Sequence, residues 1–344
     1  MRTLCNLPLC FVTAIIAVLL SVACIDSVEP AGPAQYVNPE YPSELKGYAV
    51  ITAQFSGAFE LNGRVFVLDR ETEIIESFSL SDPCLNLNPS PVDKDSLYLG
   101  FTPGAFALDR ESSVLYLEDS DGNDIYTIHL PDGIPELLHD SDSFITDLFL
   151  TEGKSSLLIC FLGPEWLVRK IDVTTGSNLG EYETGWPVTG AALSNDAERV
   201  LLSNSGKYFL LELDVATMNL RDTLHIPERP GPFLYNSAGN IVVFNRYTIR
   251  PRIYLYHGDT GIKLQDISSI NPYQACSLMP GTDVIIAPRK SDSRISIFNS
   301  DNMIFAPSLY CLQYAKYAFS TQDGEFIIAL SSTSGRVYVF ENAQ

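Results

Sequence analysis

The sequence predicts an all-β chain: a seven-bladed β-propeller with about four antiparallel strands per blade, preceded by a signal peptide and a short tether. Three observations predict it. One strand signature recurs seven times, mostly at steps near 42 residues. Those strands are apolar at successive positions, so both of their faces need cover. Helical apolar spacing is never sustained beyond about ten residues.

The chain of 344 residues opens with an address. Residues 1–23 hold a single charge, Arg2, and an apolar run of 12 from Phe11 to Val22. That run is too short for a spanning helix, which needs about 20 residues, and it suits a secretory signal. Ser21 and Ala23 are the small residues before Cys24. Ser21-Val22-Ala23-Cys24 also resembles a bacterial lipobox, departing from it at Ser21, where Leu is preferred. Both simple secretion and lipidation of Cys24 fit. In the second case the only membrane attachment is a lipid anchor. Residues 24–44 contain Pro30, Pro33, Pro39 and Pro42 and read as a semi-rigid tether. Residues 45–344 then form the propeller.

The repeat is read from strands such as Val65-Phe66-Val67-Leu68-Asp69, Ile125 to His129, Leu167 to Asp172 and Val337 to Glu341. Their last positions are 69, 129, 172, 214, 257, 299 and 341. Only the first step is long, and its excess falls near Cys84 to Asp95, a Pro- and Asn-containing loop. Before each of the last six anchors, a small-residue strand turns through Gly, Asp or Asn into another apolar strand. Tyr317-Ala318-Phe319, turning at Asp323-Gly324 into Phe326-Ile327-Ile328, is one case.

A sheet apolar on both sides must be sandwiched. Val65 and Val67 point one way, Phe66 and Leu68 the other. Radial stacking about an axis supplies two neighbours to every sheet and leaves only short edges. The chain ends three residues after the seventh anchor, so the last blade needs a strand from elsewhere. The segment around Gln35 to Asn38 is the expected donor.

The turn sequences Ile171-Asp172-Val173-Thr174-Thr175-Gly176, Leu68-Asp69-Arg70-Glu71-Thr72 and Asp259-Thr260-Gly261, with Gly185-Trp186-Pro187-Val188 after the first, resemble YVTN-repeat β-propellers. The resemblance spans roughly residues 45–344. It implies exported, envelope-attached proteins, often lipoproteins, that bind or scaffold. It brings no catalytic motif.

The chain has 22 basic and 42 acidic residues, a net charge of −20. A broad nucleic-acid face is excluded, because nothing would neutralise phosphates. Asp69, Asp172 and Asp214 read as turn caps. Asp119 to Asp124 reads as a polar hairpin turn rather than a calcium loop. The histidines are scattered and no Cys pair has metal-ligand spacing, so no metal and no cofactor is expected. A quinoprotein docking motif fails at Gly180, where Trp is required. No Gly-x-Ser-x-Gly elbow is present.

One face stands out. Arg246, Arg250 and Arg252 fall on the second-to-third loop of the fifth blade, Arg289 and Lys290 on the same loop of the sixth, and Arg229 on the connection into the fifth. Trp186, Tyr247 and Tyr273 fall nearby. Arg with aromatic neighbours suits carboxylates, acidic sugars or acidic peptides. Thr146, Thr189, Gln274 and Lys316 share one register on the small-residue strands and would ring the channel mouth. The sequence thus points to a non-catalytic scaffold, monomeric and exported, that binds an envelope protein, a peptide or an anionic glycan on this face. The alternative is a propeller hydrolase or lactonase, which would gather carboxylates or a metal at the axis.

Overall fold

The computed structural model describes residues 44–50, 54–81, 94–246, 250–269, 272–290, 292–311, 313–331 and 335–342. The signal segment 1–23, Cys24, most of the tether, the Cys84 loop and Tyr247 lie outside the described residues.

The strands form seven antiparallel sheets with no α-helix among the described residues. Blade one runs Phe55–Leu61, Arg64–Asp69, Ile74–Ser79, Lys94–Tyr98, and blade two Pro103–Asp109, Val114–Asp119, Ile125–His129, Glu136–His139. Blade three is Phe144–Leu150, Ser156–Gly163, Leu167–Asp172, Asn178–Glu183, and blade four Gly190–Leu193, Arg199–Ser203, Phe209–Asp214, Asn219–His225. Blade five is Pro230–Tyr235, Ile241–Asn245, Arg252–Tyr256, Lys263–Ser268. Blade six is Ser277–Leu278, Val284–Pro288 and Arg294–Asn299, with its outer edge split into Ile304–Phe305 and Leu309–Tyr310. Blade seven is Tyr317–Ser320, Phe326–Ser331, Arg336–Glu341 and, from the other end of the sequence, Glu44–Val50.

Alternate side chains of each sheet enter different interfaces. Val65 and Val67 pack with Ile328, Leu330, Val337 and Val339 between blades one and seven. Phe66 and Leu68 pack with Leu115 and Leu117 between blades one and two. Tyr338 and Phe340 turn the other way, onto Ile286, Ile295 and Ile297 of blade six. Seven such clusters, one per adjacent pair of blades, close the ring. A buried Val, Leu or Ile contributes about 2 kcal/mol, so the interfaces dominate stability.

Two expectations need correction. The strand completing blade seven is Glu44–Val50, paired antiparallel with Arg336–Glu341 from Glu44↔Glu341 to Val50↔Arg336. Gln35 to Asn38 lies outside the described residues. Placing the propeller's start at 45 left no room for an outer strand ahead of blade one, which sent the expected donor too far upstream. Second, Asp69 ends the second strand of blade one, whereas the other six anchors end or directly follow third strands. The count of seven survives because each blade still contributes one anchor.

First strands of successive blades abut and line the axis. Second-to-third loops and blade-to-blade connections therefore share one face, here the loop face. First-to-second and third-to-outer turns share the opposite turn face.

Candidate ligand-binding face

The turn face is built from short capped turns. Asp172 Oδ1 accepts the N–H groups of Thr174 and Thr175 at 2.9 and 2.8 Å. Asp214 Oδ1 accepts from Thr217 N at 2.8 Å. Those bonds hold both carboxyls below the usual range. Gly176 lets the third-blade turn approach its neighbour, because a Cβ there would run into the Leu138 carbonyl. Asp69 makes the same cap on the loop face, accepting from Glu71 N at 2.8 Å. Asp119 to Asp124 is a hairpin turn in which Asp119 Oδ1 accepts from Asp121 N at 3.0 Å. Among the described residues no three His, Cys, Asp or Glu side chains are grouped to hold a metal ion.

On the loop face a cavity of about 570 Å³ opens over the axis, with walls from blades three to seven. Its loops are fastened to one another. Arg246 N–H donates to the Arg229 carbonyl at 3.0 Å, and Lys290 N–H donates to the Pro272 carbonyl at 2.8 Å. Gln274 N–H donates to the Pro288 carbonyl at 3.0 Å. These bonds tie each blade-to-blade connection to the adjacent second-to-third loop.

The cavity gathers Thr146, Thr189, Gln274, Arg246, Lys290 and Tyr273 from the sequence-predicted set. Arg246 and Lys290 are exposed. Thr146 Oγ1 donates to the Val188 carbonyl at 2.8 Å, so its hydroxyl stitches blade three to blade four. Arg250 is exposed beyond the lining, and its carbonyl accepts from Asn245 Nδ2 at 2.9 Å. Arg229 lies over the Tyr208 ring at 5.8 Å. Arg252 pairs with Asp266 at 3.2 Å. Trp186 is half-buried and meets Phe209 edge-on. Lys316 is held against the rings of Tyr317 and Phe55 at 5.2 and 5.8 Å. Burial lowers its pKa, with Arg70 adding to the effect.

Arg289 and Tyr273 have a different role. Arg289 is 4% exposed and Tyr273 6%. Arg289 Nε donates to Ser296 Oγ at 2.8 Å and a second guanidinium nitrogen to Ser308 Oγ at 3.0 Å. Tyr273 Oη donates to the same Ser296 hydroxyl at 3.3 Å. Arg289 is thus a buried brace under the rim.

Sequence reasoning missed Asp147, which lines the cavity. The inner strand of blade three is bulged between Ile145 and Asp147. A bulge breaks strict alternation, so the carboxylate reaches the axis beside Thr146. Asp147 is half-buried in the cavity wall. Loss of water pushes its carboxyl up to about 7; the Ala191 N–H it accepts pulls the other way, and Glu118 adds to the rise.

This architecture defines a seven-bladed β-propeller with WD40-like structural neighbours. A chain of the mitotic checkpoint complex superposes with TM-score 0.72 at 10% identity, over 93% of this chain and 98% of that one. The WD40 β-propeller domain of Doa1 gives TM-score 0.69 at 13% identity, over 88% and 97%. No protein-family model matches the sequence, and no curated protein is similar to it. At such identities the likeness is one of fold.

Proposed function

We propose that the protein is a binding platform whose loop face, over blades four to six, holds an anionic partner, of which an acidic peptide segment is the preferred form. One observation carries this reading: in a chain of net charge −20, exposed Arg246 and Lys290 stand on the rim of the axial cavity. A cleft rimmed by one sign of charge concentrates ligands of the other. Arg229 and Arg250 extend the basic patch. The mitotic checkpoint complex and Doa1 neighbours support a protein rather than a glycan partner by analogy of fold alone. The YVTN-repeat resemblance and the lipobox-like Ser21 to Cys24 support an exported protein tethered by lipid at Cys24, acting at the bacterial envelope as a monomer. Mass spectrometry of the purified N-terminus tests that address.

The binding reading is tested by thermal shift against poly-glutamate and polygalacturonate, since a ligand of the native state raises its stability. A rise with poly-glutamate that is lost in R246E/K290E supports it. A rise only with polygalacturonate moves the partner to acidic glycans. No rise with either, or one untouched by R246E/K290E, overturns it.

A further inference from the structure

The axial cavity bears both signs of charge. Arg246 and Lys290 stand on the side of blades five and six, and Asp147 on the wall of blade three. A carboxylate offers about four acceptor sites, and the Ala191 N–H takes one of Asp147's. Behind it, Glu118 is buried, with its oxygens on the N–H groups of Ala105 at 2.7 Å and Ile145 at 3.3 Å. A carboxylate in this setting gains from an arriving cation. A plain dicarboxylate or sugar acid would satisfy only the basic rim. Phe233 and Tyr317 add apolar surface to the same lining, which suits an aliphatic stem. A volume of about 570 Å³ lies in the range of small-ligand sites.

Resting on the loop-face reading above, we propose that the cavity takes a protonated amine of an otherwise acidic peptide: Asp147 holds the ammonium group, while neighbouring carboxylates meet Arg246 and Lys290. The titratable groups that face Asp147 are Glu118, the Cys160 thiol and the Tyr317 phenol; Arg70 acts on Glu118 and Tyr317, and the two rim cations share the cavity lining. Its carboxyl is raised to about 7, so an entering cation expels part of a proton at neutral pH.

The test uses the full chain and two blocked pentapeptides, Ac-EEKEE-amide and its acetyl-lysine counterpart, in titration calorimetry at pH 7. The lysine peptide binds at least about tenfold tighter, a margin of about 1.4 kcal/mol, and its enthalpy varies with the buffer's ionisation heat. D147N, whose amide oxygen can still accept the Ala191 N–H, brings the two peptides to equal affinity and removes the buffer dependence. R246E/K290E weakens both. Equal affinity of both peptides for the wild type overturns this inference and leaves the anion-binding reading standing. Failure of both peptides to bind overturns the two together.

Discussion

The capped turns of the propeller and its axial cavity treat their carboxylates in opposite ways. On the turn face, Asp172 and Asp214 are partly exposed, and backbone N–H groups of their own turns hold their pKa values down. At the axis of the loop face, Asp147 and Glu118 are pushed up by burial. The first arrangement stabilises a turn and repeats from blade to blade. The second lies at the axis, weakens the empty fold at neutral pH and places charge where a ligand can reach it. Periodic features of this chain build the ring; the features that break the period mark the site.

The largest effect that probes this division is on the ring itself. Deleting residues 44–50 removes the strand paired with Arg336–Glu341 and exposes an apolar sheet edge. The melting temperature should fall by more than about 10 °C, since each kcal/mol shifts Tm by a few degrees. An unchanged melting curve would mean that the ring does not depend on this clasp.

The next effect separates brace from rim. R289M takes the guanidinium donor from Ser308, leaves Ser296 with Tyr273 alone and removes an ion-pair partner of Asp292, and it should cost about 3 kcal/mol by urea denaturation. R250E, at an exposed position, should change stability by less than about 0.5 kcal/mol. Equal costs would remove the distinction.

The smallest effects are those of pH, and their signs differ between the capped turns and the axial cavity. Asp147 has a raised folded pKa, so the unfolded chain ionises first and stability is lost as pH rises from about 4 to about 7. D147N should therefore melt higher than wild type at pH 8 and equally at pH 3.5. Asp172 and Asp214 have depressed folded pKa values. Their stabilisation is present above the ordinary carboxylate value and lost as pH falls below about 4. D172N/D214N should lower Tm above about pH 4, meet the wild-type curve in acid and so flatten the acid limb.

Much of the fold was legible because two-sided burial forces successive apolar positions. Val337 and Val339 serve one interface and Tyr338 and Phe340 the next, and that pattern is visible in the residues alone. The register of blade one was not legible, because its second strand, Arg64–Asp69, is as apolar as the third strands elsewhere. Of the site, Thr146, Thr189 and Gln274 were placed by strand register, and Arg246 and Lys290 by loop order. Arg289 was not distinguishable from its neighbours, since nothing in the sequence tells a buried arginine with serine partners from an exposed one. Asp147 was hidden by a bulge, which alternation does not anticipate.

Hydrogen exchange of the full chain with and without poly-glutamate measures where a ligand sits. A ligand on the loop face protects residues 187–191, 229–233 and 272–276, around the axial cavity, and leaves 173–177, 215–218 and 258–262 unchanged. Protection confined to those last three turns, on the opposite face, would place the ligand there and overturn the loop-face site.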